Sequence, residues 1–142
     1  MPDSTALDLS DPGIYRDWVD DTIRFSDQDS GGHVNNVSYA YYVEGGRVAF
    51  KRGHALEPHT GERFVVARVA LDFRRETHYP GTVRVGTRVI RVGGKSFTLG
   101  HGVFRDGTCL CTAESTGVYI GPEGAVRIPE DVRGVLEALA AA

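Results

Sequence analysis

The chain is poor in sulfur, in long apolar runs and in surplus positive charge, and each shortage removes a class of function. Only two of its 142 residues are cysteines. Cys109 and Cys111 stand two apart in a strand-like segment, a spacing that suits neither a disulfide framework nor a C-x-x-C metal or redox pair, so both are expected to be plain strand residues. No apolar run is long enough to span a bilayer, and the opening "MPDSTALDLSDPGIYRD" is acidic, without the basic start and apolar stretch of a signal peptide. A cytoplasmic protein with no membrane partner is expected. A formal net charge of -3 argues against nucleic acid as the main partner, because phosphate-backbone binders carry a basic surplus.

What is present is an ordinary globular composition, 41% hydrophobic and 25% charged, which argues against intrinsic disorder and fibrous repeats. The length allows one domain with a real core. Residues 1–17 read as a flexible N-terminal tail, since their apolar residues are scattered among Asp, Ser, Pro and Gly, and residues 18–142 as a single domain. Trp18 to Phe25 predicts a first strand. From Asn36, "NVSYAYYVEGGRVAFKRGH" predicts a helix of roughly four or five turns, with Asn35 or Asn36 as N-cap and Gly53 as stop. Its apolar residues fall on most of its circumference, so burial on several sides is expected. Gly45 and Gly46 each cost roughly 1 kcal/mol relative to Ala inside a helix, and close approach of another backbone is a physical reason to tolerate them.

The second half alternates with period two. In "RFVVARVALDF" Val65, Ala67, Val69, Leu71 and Phe73 share one face of a half-buried strand. Tyr79-Pro80-Gly81 signals a turn, Val83 to Val92 a strand with a bulge where the apolar set shifts to Ile90 and Val92, and Gly93-Gly94 a tight turn. Ser96 to Phe104 and Cys109 to Ile120 follow as strands around the hairpin turn Asp106-Gly107. Pro129 opens a short amphipathic C-terminal helix carrying Val132, Val135, Leu136 and Leu139. One strand, one long helix and an antiparallel meander make an α+β arrangement, buried economically by a curved sheet around the helix.

Chemistry concentrates before that helix, in "FSDQDSGGHVNNVSYAYYVEGGR". Asp27 and Asp29 fall in a glycine-containing loop that ends at a helix N-terminus, so a carboxylate and unpaired backbone N–H groups can converge on one substrate carbonyl. A carboxylate of ordinary pKa, about 3.9, is ionised at neutral pH and serves as nucleophile or as base for water. No second acid has an evident catalytic setting, which favours a leaving group that needs little protonation. A thiolate, whose thiol has a pKa of about 8.5, fits better than an amine or alkoxide.

The run "DQDSGGHVNNVSYAYYVEGGR", residues 27–47, resembles the D-x-D-x-x-G-H-V-N-N-x-x-Y signature of hotdog-fold acyl-CoA thioesterases of the 4-hydroxybenzoyl-CoA thioesterase class, and the strand plan to residue 121 is similar as well. The resemblance implies a hotdog fold, thioester hydrolysis with no cofactor beyond the CoA of the substrate, and a homodimer or homotetramer with its ligand at the subunit interface. It implies Asp29 as the catalytic carboxylate, nucleophile or base, and the backbone N–H near Asn36, with Asn35 beside it, as oxyanion donor. Asp27 becomes a loop-shaping residue. Gly32, His33, Val34 and Tyr39 match motif positions and are candidates for substrate contact. A related branch places a glutamate on the central helix; Glu44 is there, and Arg47 is its i,i+3 partner in the alternative reading.

CoA phosphates require cations or backbone nests, and Arg88, Arg91, Lys95 and Ser96 surround the Gly93-Gly94 turn where the family places the nucleotide. Charges protecting a strand edge are the other reading of that cluster. His33 with Asp27 and Asp29 is a weak ligand set, so no metal is expected and His33 reads as a loop brace. His54, His59, His78 and His101 are isolated in sequence. Two other functions stay open: release of acyl chains from a carrier protein, and acyl-CoA binding without hydrolysis.

Overall fold

The computed structural model describes residues 7–142. Strand β1 (Asp17–Ile23) leads through a 3-10 turn into helix α1 (Asn36–Gly53). Strands β2 (Arg63–Phe73), β3 (Gly81–Val92), β4 (Ser96–Arg105) and β5 (Thr108–Gly121) follow, then the two-residue β6 (Gly124–Ala125) and helix α2 (Glu130–Ala141). All pair antiparallel in one sheet of order β1-β3-β4-β5-β2, with β6 on β5. The sheet curls around α1, giving the α+β hotdog fold.

Helix α1 holds the core together. Its inward stripe, Tyr39, Tyr42, Val43, Gly46 and Phe50, follows the i, i+3, i+4 spacing of one helix face. Tyr42 and Val43 join Ile23, Val83, Val85 and Val103 in one cluster. Phe50 joins Val89, Phe97, Leu99 and Tyr119 in a second, which Val132 and Leu136 of α2 close. Fully burying such a side chain stabilises by about 1.5–3 kcal/mol, so packing outweighs the two helical glycines. Burial on several sides is not found: the sheet covers one side only, and Val37, Tyr41 and Val48 are exposed.

Further expectations change on structural grounds. Leu9 to Tyr15, which composition assigns to a flexible tail, is packed against the sheet face opposite α1. There Tyr15 is buried edge-on to Trp18 and Phe104, its hydroxyl donates to the Leu9 carbonyl at 2.6 Å, and Gly86 leaves room for its ring. Residues 1–6 of that segment lie outside the described residues. On β2 the pairing shifts between Val66 and Arg68, and the extra residue reverses the alternation. Phe64, rather than Val65, therefore packs onto Phe97 and Tyr119, while Leu71 still reaches the core. The bulge in β3 is where the pattern puts it, between Val89 and Arg91.

His101 is fully buried on β4, within hydrogen-bond distance of Thr87 Oγ1 (3.0 Å) and Ser115 Oγ (2.8 Å). Burial, aided by the Arg47 charge, pushes its pKa down to about 3, so it is a neutral structural residue. Thr87 is thereby held fixed beneath α1. The close approach at the helical glycines belongs to Gly46 alone: a Cβ there would lie 2.7 Å from Val85 Cγ1 and 2.9 Å from Thr87 Oγ1, both side-chain atoms of β3. At Gly45 an added Cβ meets only Asp21 Oδ2, at 3.8 Å. Gly46→Ala is expected to lower stability, because overpacking costs about 1–3 kcal/mol against about 1 kcal/mol of helix propensity. Gly45→Ala gains the propensity alone. Urea denaturation of both variants checks this, and equal stabilisation by the two would contradict it.

Candidate active site

The loop between β1 and α1 is built on Asp27. Its buried carboxylate accepts the Arg24 amide at 2.8 Å and the Tyr42 hydroxyl at 2.7 Å, and the Arg24 guanidinium lies 3.3 Å away. Its carbonyl accepts the Asn35 amide (2.8 Å) and the Ser38 hydroxyl (3.1 Å). Burial alone would raise the Asp27 pKa. The Arg24 amide, the Tyr42 hydroxyl and the Arg24 charge outweigh it and hold the carboxyl below its ordinary value. Asp27 thus fixes both ends of the loop and is not free to react.

Asp29 sits at the exposed tip. Its Oδ1 accepts the Gly31 amide at 2.8 Å and the His33 amide at 3.1 Å. Its own N–H donates to the His33 carbonyl at 2.8 Å, and Gly32 turns the chain with φ +83°. Oδ2 has no hydrogen-bond partner among the described residues, leaving one carboxylate oxygen held and one open. Val34, buried, donates its amide to the Thr77 carbonyl. Asn35 is the N-cap of α1, its Oδ1 accepting the Val37 amide at 3.0 Å, as one of the two readings had it. The Asn36 N–H that follows finds no acceptor among the described residues. It is an unpaired donor at the positive end of a long helix.

Asp29, His33, Val34, Asn36 and Tyr39 line one cleft of about 260 Å³. Tyr39 is buried, edge-on to Phe73, and burial pushes its pKa up to about 12, so it remains a neutral phenol. The remaining wall is the β2 exit, Phe73 to Glu76, which the sequence reading missed. Its signal was the consecutive basic pair Arg74-Arg75 directly after an apolar strand. Arg105 anchors the next stretch through the Thr77 hydroxyl and the His78 and Pro80 carbonyls.

Other candidates lie outside this cleft. Glu44 is exposed, 3.9 Å from Arg47, and lines a separate depression with Arg24 and Arg52. Arg88 leaves the Gly93-Gly94 turn and donates to the Ile14, Ala140 and Ala142 carbonyls, tying both ends of the described chain to β3. Arg91 lies near Thr98 and Glu114. Lys95 and Ser96 remain at the turn, whose Gly93 and Gly94 carbonyls are capped by Arg133.

A carboxylate with one open oxygen, beside an unpaired amide donor in an aromatic-floored cleft, is equipped for attack on a carbonyl. Residues 23–136 match the Thioesterase-like superfamily. The chain belongs to that family. A comparison with curated proteins finds no match. Among solved structures, a hypothetical protein from Thermus thermophilus is 28% identical over 87% of this chain and 99% of its own, with a TM-score of 0.81. A thioesterase from Thermus thermophilus complexed with coenzyme A and Zn is 28% identical over 88% of this chain and 95% of its own, TM-score 0.74. A predicted thioesterase from Bacillus stearothermophilus is 26% identical over 86% and 94%, TM-score 0.76. Within the Thioesterase-like superfamily, then, this chain has a hydrolase-type scaffold.

The Asp27 hub gives a test. A folded pKa below the unfolded value of about 3.9 contributes stability that is present above that value and is lost as pH falls through the folded one. Asp27→Asn is expected to destabilise at pH 7 by about 1–3 kcal/mol and to show a shallower loss of stability below pH ~4. Denaturation midpoints across pH 2–7 measure both; parallel curves for the two proteins would contradict the hub.

Proposed function

We propose that the chain is an acyl-CoA thioesterase of the 4-hydroxybenzoyl-CoA thioesterase class, with Asp29 as its catalytic carboxylate. The observation that carries this reading is the open Asp29 Oδ2 in the same cleft as the unpaired Asn36 N–H. The thioester carbonyl oxygen accepts from the Asn36 N–H at the helix start, where the dipole favours the developing negative charge. Asp29 Oδ2 then attacks the carbonyl carbon, forming an anhydride that water hydrolyses, or takes a proton from water that attacks instead. In either route the C–S bond breaks and the electron pair leaves on sulfur, giving CoA thiolate and the free acid. No cofactor is needed.

Coenzyme A in a neighbouring thioesterase supports the substrate class. Arg74 and Arg75 on the cleft wall are the cations best placed for its phosphates, with Lys95 and Ser96 as a second group. The working unit is a homodimer or homotetramer: β2 is an edge strand with exposed Val66, Val69 and Phe73, and the outer face of α1 exposes Val37 and Tyr41. Pairing edge strands side by side covers the first set. A cytoplasmic site of action fits a chain in which no described helix is long and apolar enough to cross a membrane.

Thiol release from a panel of aromatic and aliphatic acyl-CoAs tests the reading. Wild type is expected to turn over at least one, and Asp29→Asn, with an unchanged fold, to lose about 100- to 10,000-fold in turnover. Acyl-CoA binding without any thiol release would make the chain a binding module; full activity in Asp29→Asn would remove that residue from the chemistry.

A further inference from the structure

The segment that follows β2 brings two more chemically capable side chains to the rim of the cleft. His33 Nε2 lies 3.0 Å from Glu76 Oε2. The His33 and His78 rings are tilted against each other with centroids 4.9 Å apart. One ligand atom from each of His33, Glu76 and His78 lies within 4.8 Å of the other two.

Both imidazoles stand on fixed backbone. The His33 amide and carbonyl are bonded to Asp29, and the His78 carbonyl accepts from Arg105 at 2.7 Å. His78 Nδ1 is 3.1 Å from the Gly32 carbonyl. A carbonyl can only accept, so Nδ1 carries the proton and the Nε2 lone pair is free. Metal-bound histidines are oriented in this way, by a hydrogen bond from the nitrogen that does not ligate.

We propose that His33, Glu76 and His78 bind a divalent transition-metal ion of the zinc type. Two imidazoles and one carboxylate suit Zn²⁺ or Co²⁺, whereas Mg²⁺ and Ca²⁺ take oxygen ligands. Bond lengths near 2.0 Å place tetrahedral ligands about 3.3 Å apart. The His33–Glu76 pair, at 3.0 Å, is already close to that separation, and Glu76 and His78 are exposed, so side-chain rotation closes the triangle without disturbing the core. The ion sits between His33 Nε2 and Glu76 Oε2. Three protein ligands leave a fourth position for water or another donor.

This set is not the one the loop sequence suggests. Asp27 is committed to Arg24 and Tyr42, and Asp29 Oδ1 to two amides. His33 therefore turns outward to residues some forty positions away, and an ion there ties the Asp29 loop to the β2 exit. Metal binding at this cluster does not depend on the hydrolase reading.

The full chain, stripped with a chelator, is titrated with Zn²⁺ by calorimetry and with Co²⁺ by visible absorption. Wild type is compared with His78→Ala, Glu76→Gln and His59→Ala. His59 lies near Asp131 and Glu62 and controls for an unrelated histidine–carboxylate pair. The expected result is one ion per chain with a tetrahedral Co²⁺ spectrum. Affinity should fall on the order of tenfold or more in His78→Ala and Glu76→Gln, and not in His59→Ala, with unchanged far-ultraviolet circular dichroism in all. Absence of saturable binding, equal affinity in all four proteins, or loss confined to His59→Ala would overturn the site.

Discussion

The Tyr42 hydroxyl and the Arg24 amide meet on one oxygen of the buried Asp27 carboxylate, at 2.7 and 2.8 Å. The Asp27 carbonyl meanwhile takes the amide of Asn35, the N-cap of α1, and the Ser38 hydroxyl one turn on. A single residue thereby joins the exit of β1, the loop and two turns of the central helix. Hydrogen bonds to an ionised group contribute about 1.5–3 kcal/mol each, and burial makes each of them hard to exchange for water. The six residues between Asp27 and Val34 need little further support, because both of their ends are fixed.

Two aspartates two positions apart consequently do opposite things. Asp27 is buried, its Oδ2 accepting from the Arg24 amide and the Tyr42 hydroxyl and its Oδ1 facing the Arg24 guanidinium. Asp29 stands at the surface and lines the cleft, its Oδ1 held by two amides and its Oδ2 without a partner among the described residues. Environment, not residue type, separates the buried structural carboxylate from the exposed one proposed to react. The helix capped by Asn35 adds the complementary group, the Asn36 amide, which has no acceptor among the described residues and belongs to a residue lining the same cleft.

The readable parts of the sequence were the local ones. Helix start and N-cap come from residues adjacent in the chain, and Asn35 sits where cap chemistry puts it; the helix ends at Gly53, but His54 is its C-cap and the left-handed turn after it falls on Ala55, with φ 52°. The β3 bulge was visible because the apolar set changes parity. In β2 the same event was hidden, since "FVVARVA" is apolar on both parities and either register satisfies the pattern. Tyr15 gave no sign of burial, because its partner is the bare surface at Gly86, a property of another strand. Position in the chain groups Arg88 with the Gly93-Gly94 turn, yet its guanidinium is spent on the Ile14, Ala140 and Ala142 carbonyls. The cleft wall from Phe73 to Glu76 also comes from a distant segment, set in place by the pairing of β2 with β5, the packing of Phe73 on Tyr39 and the bond from the Val34 amide to the Thr77 carbonyl.

The proposed chemistry requires the Asn36 amide and the Asp29 carboxylate to act on one thioester carbonyl. Nuclear magnetic resonance of the amide-labelled protein with a ketone analogue of acyl-CoA, in which a methylene replaces the sulfur, tests this directly. The carbonyl should draw the Asn36 N–H into a hydrogen bond, giving that amide a large downfield proton shift, with Gly31 and His33 perturbed beside it. Saturable binding of the analogue with the Asn36 amide unmoved would contradict the account.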